Sequence, residues 1–167
     1  TGAFVVYAGQ YQPEALAFLE RAEPPAFVAV TGKACTFQPE DSDRVFTSIR
    51  PESINAVDAD TRDRWTVQTA AQTLDRVATT ARALTRSERG DDLAAALANG
   101  GVDEGLAEGI PLALDHYGTT AGYLEALRDV AIESLEVVAG DRDEVTAPDV
   151  SPDTDTPADL AALAAMD

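Results

Sequence analysis

Five aromatic residues, Tyr7, Tyr11, Phe27, Phe37 and Phe46, stand in or beside short apolar runs in the first third of the chain. Three cations, Lys33, Arg44 and Arg50, stand among them. Flat rings stack on the faces of unpaired bases and cations follow a phosphate backbone, so this mixture is what a surface holding a single nucleic-acid strand requires. Strand parity sorts the candidates. Phe46 and Arg50 fall on one face of an alternating segment, and Phe27 and Lys33 fall on one face of another. Lys33 is the only lysine in the chain. The competing role for the rings is a hydrophobic core, and Phe4 and Phe27 are expected there. The loop Glu40-Asp41-Ser42-Asp43 would repel phosphate and reads as a solvated turn.

Other chemistries lack their residues. His116 is the sole histidine, has no partner at metal-ligand spacing, and reads as a helix-end residue. Cys35 is the sole cysteine, so no disulfide can form within the chain; inside a strand it reads as a small buried side chain rather than a nucleophile. Gly32-Lys33 lacks the upstream glycine and the following Ser or Thr of a phosphate loop. Asp153-Thr154-Asp155 opens like a calcium loop but lacks the required glycine and terminal glutamate. Carboxylates abound, yet none is marked as an acid–base pair. The expectation is a binding protein without cofactor or metal, not an enzyme.

Charge sets the environment in which such a surface would work. There are 30 acidic and 12 basic residues, a net charge of -18. At low salt this chain repels itself; at molar salt the screening length shrinks to about 3 Å and the repulsion fades. Abundant aspartate and a single lysine suit the cytoplasm of an extreme halophile. In such brine each ion pair with phosphate contributes little, since affinity for single strands falls with a log–log slope of about -0.7 per phosphate contact. Stacking, at about 1–3 kcal/mol per base, must then supply most of the affinity. No apolar run is long enough to span a bilayer and no signal peptide opens the chain, so the expected location is cytoplasmic. The absence of an initial methionine before Thr1 suggests an N-terminal truncation.

Three segments must position these residues: 1–58 with strands and one short helix, 59–140 with helices, and 141–167, an acidic tail. Ala3 to Tyr7 reads as a strand buried on both faces. Pro13 and Glu14 suit the first turn of a helix that ends before Pro24-Pro25. Ala26 to Phe37 is the longest strand candidate, with a bulge or corner expected at Gly32. Arg44 to Arg50 alternates with period two; Pro51 and Glu52 bend the chain, and Ile54 to Val57 extends the strand. A long helix follows, capped by Asp60, anchored to the strands by Trp65, and apolar at Val67, Ala71, Leu74, Val77, Ala78, Ala81 and Leu84. Asp92 to Ala98 is a short helix. Glycines 105 and 109 and Pro111 weaken the next. Thr120 to Ala139 carries the clearest stripe, through Tyr123 or Leu124, Leu127, Val130 or Ala131, Leu135 and Val138, and Gly140 stops it. From Asp141 to Pro157 the tail lacks core formers and is expected to be disordered.

Strand, short helix, long strand, loop and strand is the order of the second half of an OB-fold barrel. The runs TGAFVVYAGQYQPEAL, EPPAFVAVTGKACTF and RVFTSIRPESINAVDADTRDRW closely resemble the haloarchaeal OB-fold proteins associated with replication protein A. The likeness spans Thr1 to about Trp65, is weak over the helices, and does not reach the tail. It implies an α+β protein: the C-terminal part of an OB barrel, with about three strands and a short helix, followed by a helical extension. It implies two further strands before Thr1, and an accessory role in binding single-stranded DNA with a replication protein A subunit during replication and repair. A protein-only adaptor, docking replication protein A through its helices, is the alternative.

Two further features bear on partners. From Arg62 to Arg89 there are six arginines and three acids, whereas from Asp91 onward there are 18 acids and only Arg128 and Arg142 as bases. The basic helix is expected to pair with its own acidic C-terminal half. Leu160, Leu163 and Met166, behind an acidic linker, could dock on a partner or form a frayed end.

Overall fold

The computed structural model describes residues 5–38, 46–146 and 164. The order is β1 (Val5–Val6), α1 (Pro13–Leu19), β2 (Val28–Phe37), β3 (Phe46–Ala56), α2 (Ala59–Leu84), α3 (Gly90–Asn99), α4 (Glu104–Asp115) and α5 (Ala121–Ala139). The protein is therefore α+β, and it divides into two compact units, Gly2–Trp65 and Thr66–Asp167.

In the first unit a three-stranded sheet runs in the order β1-β3-β2. β2 and β3 are antiparallel, while β1 lies parallel to β3, with Val5 beside Ser48 and Val6 beside Ile49. The ladder breaks between Thr31 and Gly32, where Thr31 pairs with Ser53 and Gly32 with Pro51. Glu52 is the extra residue, so the expected irregularity at Gly32 is a bulge carried on β3. Its consequence is a change of face. In an unbroken strand Arg50 and Ile54, four apart, would share a side. Across the bulge, Ile54 and Pro51 are buried while Arg50 is exposed. The covered face thus holds Val30, Ile49, Pro51 and Ile54, and α1, with Ala15 buried, packs on β3. Proline at the first position and Glu14 in the first turn start α1 as the sequence predicts. β1 departs from expectation: Val5 is 64% exposed, so this strand is not buried on both faces.

The second unit has two apolar clusters. Ala83, Leu93, Leu97, Ala107 and Ile110 join the end of α2 to α3 and α4. Val77, Ala81 and Leu124 join α2 to α5, with Leu84, Leu127 and Ala164 packed against them. Only the C-terminal half of α2 is buried in this way. Val67 and Ala71, read as core positions, are exposed. α4 forms despite its glycines and Pro111: Asp103 caps it by accepting from the Leu106 N–H at 3.2 Å, and burial of Ala107, Ile110 and Pro111 outweighs poor propensity. α5 is capped by Thr120 and closed by Gly140 in the left-handed conformation at φ 83°.

The expected disorder from Asp141 does not hold for its first six residues. Arg142 bridges Glu133 and Glu136 at 3.3 and 3.0 Å, and the Thr146 N–H donates to Glu133 at 2.7 Å. That bond, with the Arg142 charge behind it, holds the Glu133 carboxyl below its ordinary range. Phe4, Glu40 to Asp43, Arg44, Val45 and the tail residues Leu160, Leu163 and Met166 lie outside the described residues.

Candidate functional site

The second face of the sheet is open. Register places Ala29, Thr31, Lys33 and Cys35 of β2 on it, opposite Asn55, Ser53, Arg50 and Ser48 of β3. Val5 joins them beside Ser48, and the Tyr7 N–H, donating to the Ile49 carbonyl at 3.1 Å, carries β1 one step further. Tyr7 therefore falls level with Arg50. One row across the sheet reads Tyr7, Arg50, Lys33; the next reads Val5, Ser48, Cys35. Phe46 and Phe37 hold the paired register positions beyond Ser48 and Cys35.

The electrostatics of the first row are unusual for this chain. Lys33 and Arg50 stand directly opposite each other, and like charges so placed disfavour the sheet unless an anion lies near. Both are exposed, and among the described residues no carboxylate pairs with either. Acids are also scarce around them. β2 and β3 together contain one, the bulged Glu52, although the chain has 30 acids in 167 residues. Two cations on strands whose only acid is Glu52 thus stand beside a ring that is 72% exposed. Such a row can hold a phosphate between the cations and a base on the ring.

The remaining expected site residues fall elsewhere. Tyr11, 84% exposed, lies in the turn before α1 and not in the row. Phe27 precedes β2 and is 44% exposed rather than in the core. The Arg62 guanidinium sits 4.4 Å from its ring centroid, so one face of that ring is occupied by a cation. Phe27 lies just before the register of β2, and its ring serves a contact to the first turn of α2. This contact replaces the expected anchor: Trp65 is 56% exposed, too open to hold a helix to a sheet. The α2 cap is Asp58 rather than Asp60, accepting from the Thr61 N–H at 2.8 Å. Bonding from Thr61 holds the Asp58 carboxyl below its ordinary range.

Sequence parity puts Ser48 on the face of Phe46 and Arg50 but does not bring Val5 to the open face. The parallel pairing of β1 with β3 brings Val5 there, and no local pattern announces such a pairing. Cys35 is half-buried, with Sγ 3.7 Å from the Lys33 carbonyl oxygen.

The ion pairs found among the described residues for the arginines from Arg62 to Arg89 are local rather than made to the acidic C-terminal half. Arg62 pairs with Asp63 and Arg86 with Glu88, both close in sequence. Arg82 donates to the Ala164 carbonyl at 3.1 Å and Arg89 to carbonyls of its own turn. Arginines on a helix reach neighbouring residues first, and backbone carbonyls compete well with distant carboxylates. His116 is the C-terminal cap residue of α4, edge-on to Tyr117. No group of His, Cys, Asp or Glu among the described residues could hold a metal, and no described helix is long and apolar enough to cross a membrane. No family model matches the chain, nor does any curated protein or solved structure.

Proposed function

We propose that this chain is an accessory single-stranded DNA-binding protein that acts with replication protein A in replication and repair, and that its sheet unit is the C-terminal part of an OB-fold barrel. The observation that carries the proposal is the Tyr7–Arg50–Lys33 row. Two facing cations lacking a counter-charge among the described residues stand beside an exposed ring, on strands nearly free of acid. That combination suits a strand of stacked bases joined by phosphates better than it suits an acidic protein surface, which would have no use for the ring's flat face.

Topology supports the barrel. A closed barrel with an odd number of strands cannot alternate direction all the way round, so one neighbouring pair must be parallel. β1 beside β3 supplies such a pair, and α1 lies between them in the chain where an OB barrel has its helix. The outer edges of β1 and β2 have no partner among the described residues, as expected of part of a barrel.

The protein-only adaptor draws support from exposed Leu112, Tyr117 and Tyr123 around the junction of α4 and α5. A titration of labelled oligothymidine in molar potassium chloride, with the chain alone and with replication protein A, separates the two. Saturable binding that weakens in Tyr7→Ala and Arg50→Ala supports the DNA proposal. Unchanged oligonucleotide binding in those variants, with the complex lost on changing Tyr117, supports the adaptor.

A further inference from the structure

The bulge that turns Arg50 outward depends on a residue with no side chain. At Gly32 an ideal Cβ would collide with the Arg50 carbonyl oxygen and would lie 2.8 Å from the Pro51 Cα. Both obstacles are backbone, which cannot swing aside as a flexible side chain would. Pro51 is among the largest fully buried side chains, so β3 has no free space behind it into which to retreat. Lys33 follows Gly32 and Arg50 precedes Pro51, and these are the two adjacent pairs of the ladder. A methyl group at position 32 must therefore open the sheet at the very step where the two cations face each other.

We propose that Gly32 is a positioning residue for anion binding: the close approach it permits between β2 and the bulged β3 sets Lys33 and Arg50 at the separation that lets both reach one phosphate. This rests on the DNA-binding proposal for the same face and names the ligand group and the geometry that selects it. Glu52 supplies the other half of the device. The extra residue puts Arg50 on the face opposite Ile54 while both strands keep their pairing on either side.

The test is a salt series with labelled oligothymidine. It compares the full chain, Gly32→Ala, the double variant Lys33→Ala/Arg50→Ala, and the triple variant, with folding verified by circular dichroism. The double variant loses one phosphate contact, so its log–log salt slope becomes shallower by about 0.7, and affinity at the low end of a ten-fold salt range falls roughly five-fold. Gly32→Ala should show the same change of slope, and should add nothing further in the triple variant. A Gly32→Ala protein with the parent slope, or an additional loss in the triple variant, overturns the proposal. Should Gly32→Ala not fold, deleting Glu52 in that background restores a regular ladder with ordinary room for a Cβ. A folded protein with the shallow slope there supports the role of the close approach, and recovery of the parent slope refutes it. Absence of oligothymidine binding by the parent chain would instead remove the DNA-binding proposal itself.

Discussion

In the proposed DNA-binding role, Tyr7, Arg50 and Lys33 would divide the work at the open face by chemistry. A stacked ring is insensitive to salt, whereas a phosphate contact is not. Tyr7→Ala should therefore weaken oligonucleotide binding by about 1–3 kcal/mol with an unchanged salt slope, and Tyr7→Phe should retain most of the affinity. Isothermal titration at several salt concentrations separates the two signatures; a slope change in Tyr7→Ala would mean that the ring acts by placing a cation. Asp58 makes a prediction of another kind. Its carboxyl is held below the ordinary range, first by bonding from Thr61. A depressed folded-state pKa contributes stability above the unfolded value, and that contribution is lost as pH falls through the folded one. Melting temperature should thus drop below about pH 4. Asp58→Asn should flatten part of that drop, and an identical pH profile in the variant would show that the cap charge is immaterial.

Elements were legible in the sequence wherever a local signal and burial agreed. Proline at the start of α1, the alternation ending at Arg50, and the stripe and glycine stop of α5 all lead to the observed elements. The bulge was also legible, since Gly32 interrupts a strand and Ile49 and Ile54, five apart, cannot share a face of a regular one. What stayed hidden was long-range. Nothing local reveals that β1 runs parallel to β3, that α2 is buried mainly over its second half, or that Arg62 takes the ring of Phe27 while Trp65 stays out. The open-face row was half legible: parity placed Arg50 and Lys33, and only the β1–β3 pairing added Tyr7. Two substitutions test the helices. Thr120→Ala removes a cap that accepts from the Tyr123 N–H and should cost about 1 kcal/mol. Leu93→Ala empties a fully buried site between α3 and α4 and should cost about 2–5 kcal/mol. Chemical denaturation reads both, and a loss from Leu93→Ala below that of Thr120→Ala would contradict the packing described.

Across the whole molecule the charge is unevenly shared. Gly2–Trp65 carries 10 acids and 6 bases, while Thr66–Asp167 carries 20 acids and 6 bases. The more neutral unit is the one with the acid-poor strands, as an anionic ligand would require. Self-repulsion is concentrated in the helical unit, so added potassium chloride should raise its melting temperature more than that of the sheet unit. Differential scanning calorimetry over a salt series would show this, and a salt-independent profile would remove the halophilic interpretation. The rest depends on the proposal that single-stranded DNA binds on the open face. Photo-crosslinking with an oligothymidine carrying a thio-substituted base, followed by peptide mapping, tests it most directly. The prediction is an adduct on Tyr7 or its neighbours on the open face, abolished by competing unlabelled strand. Adducts confined to α3, α4 and α5 would contradict it.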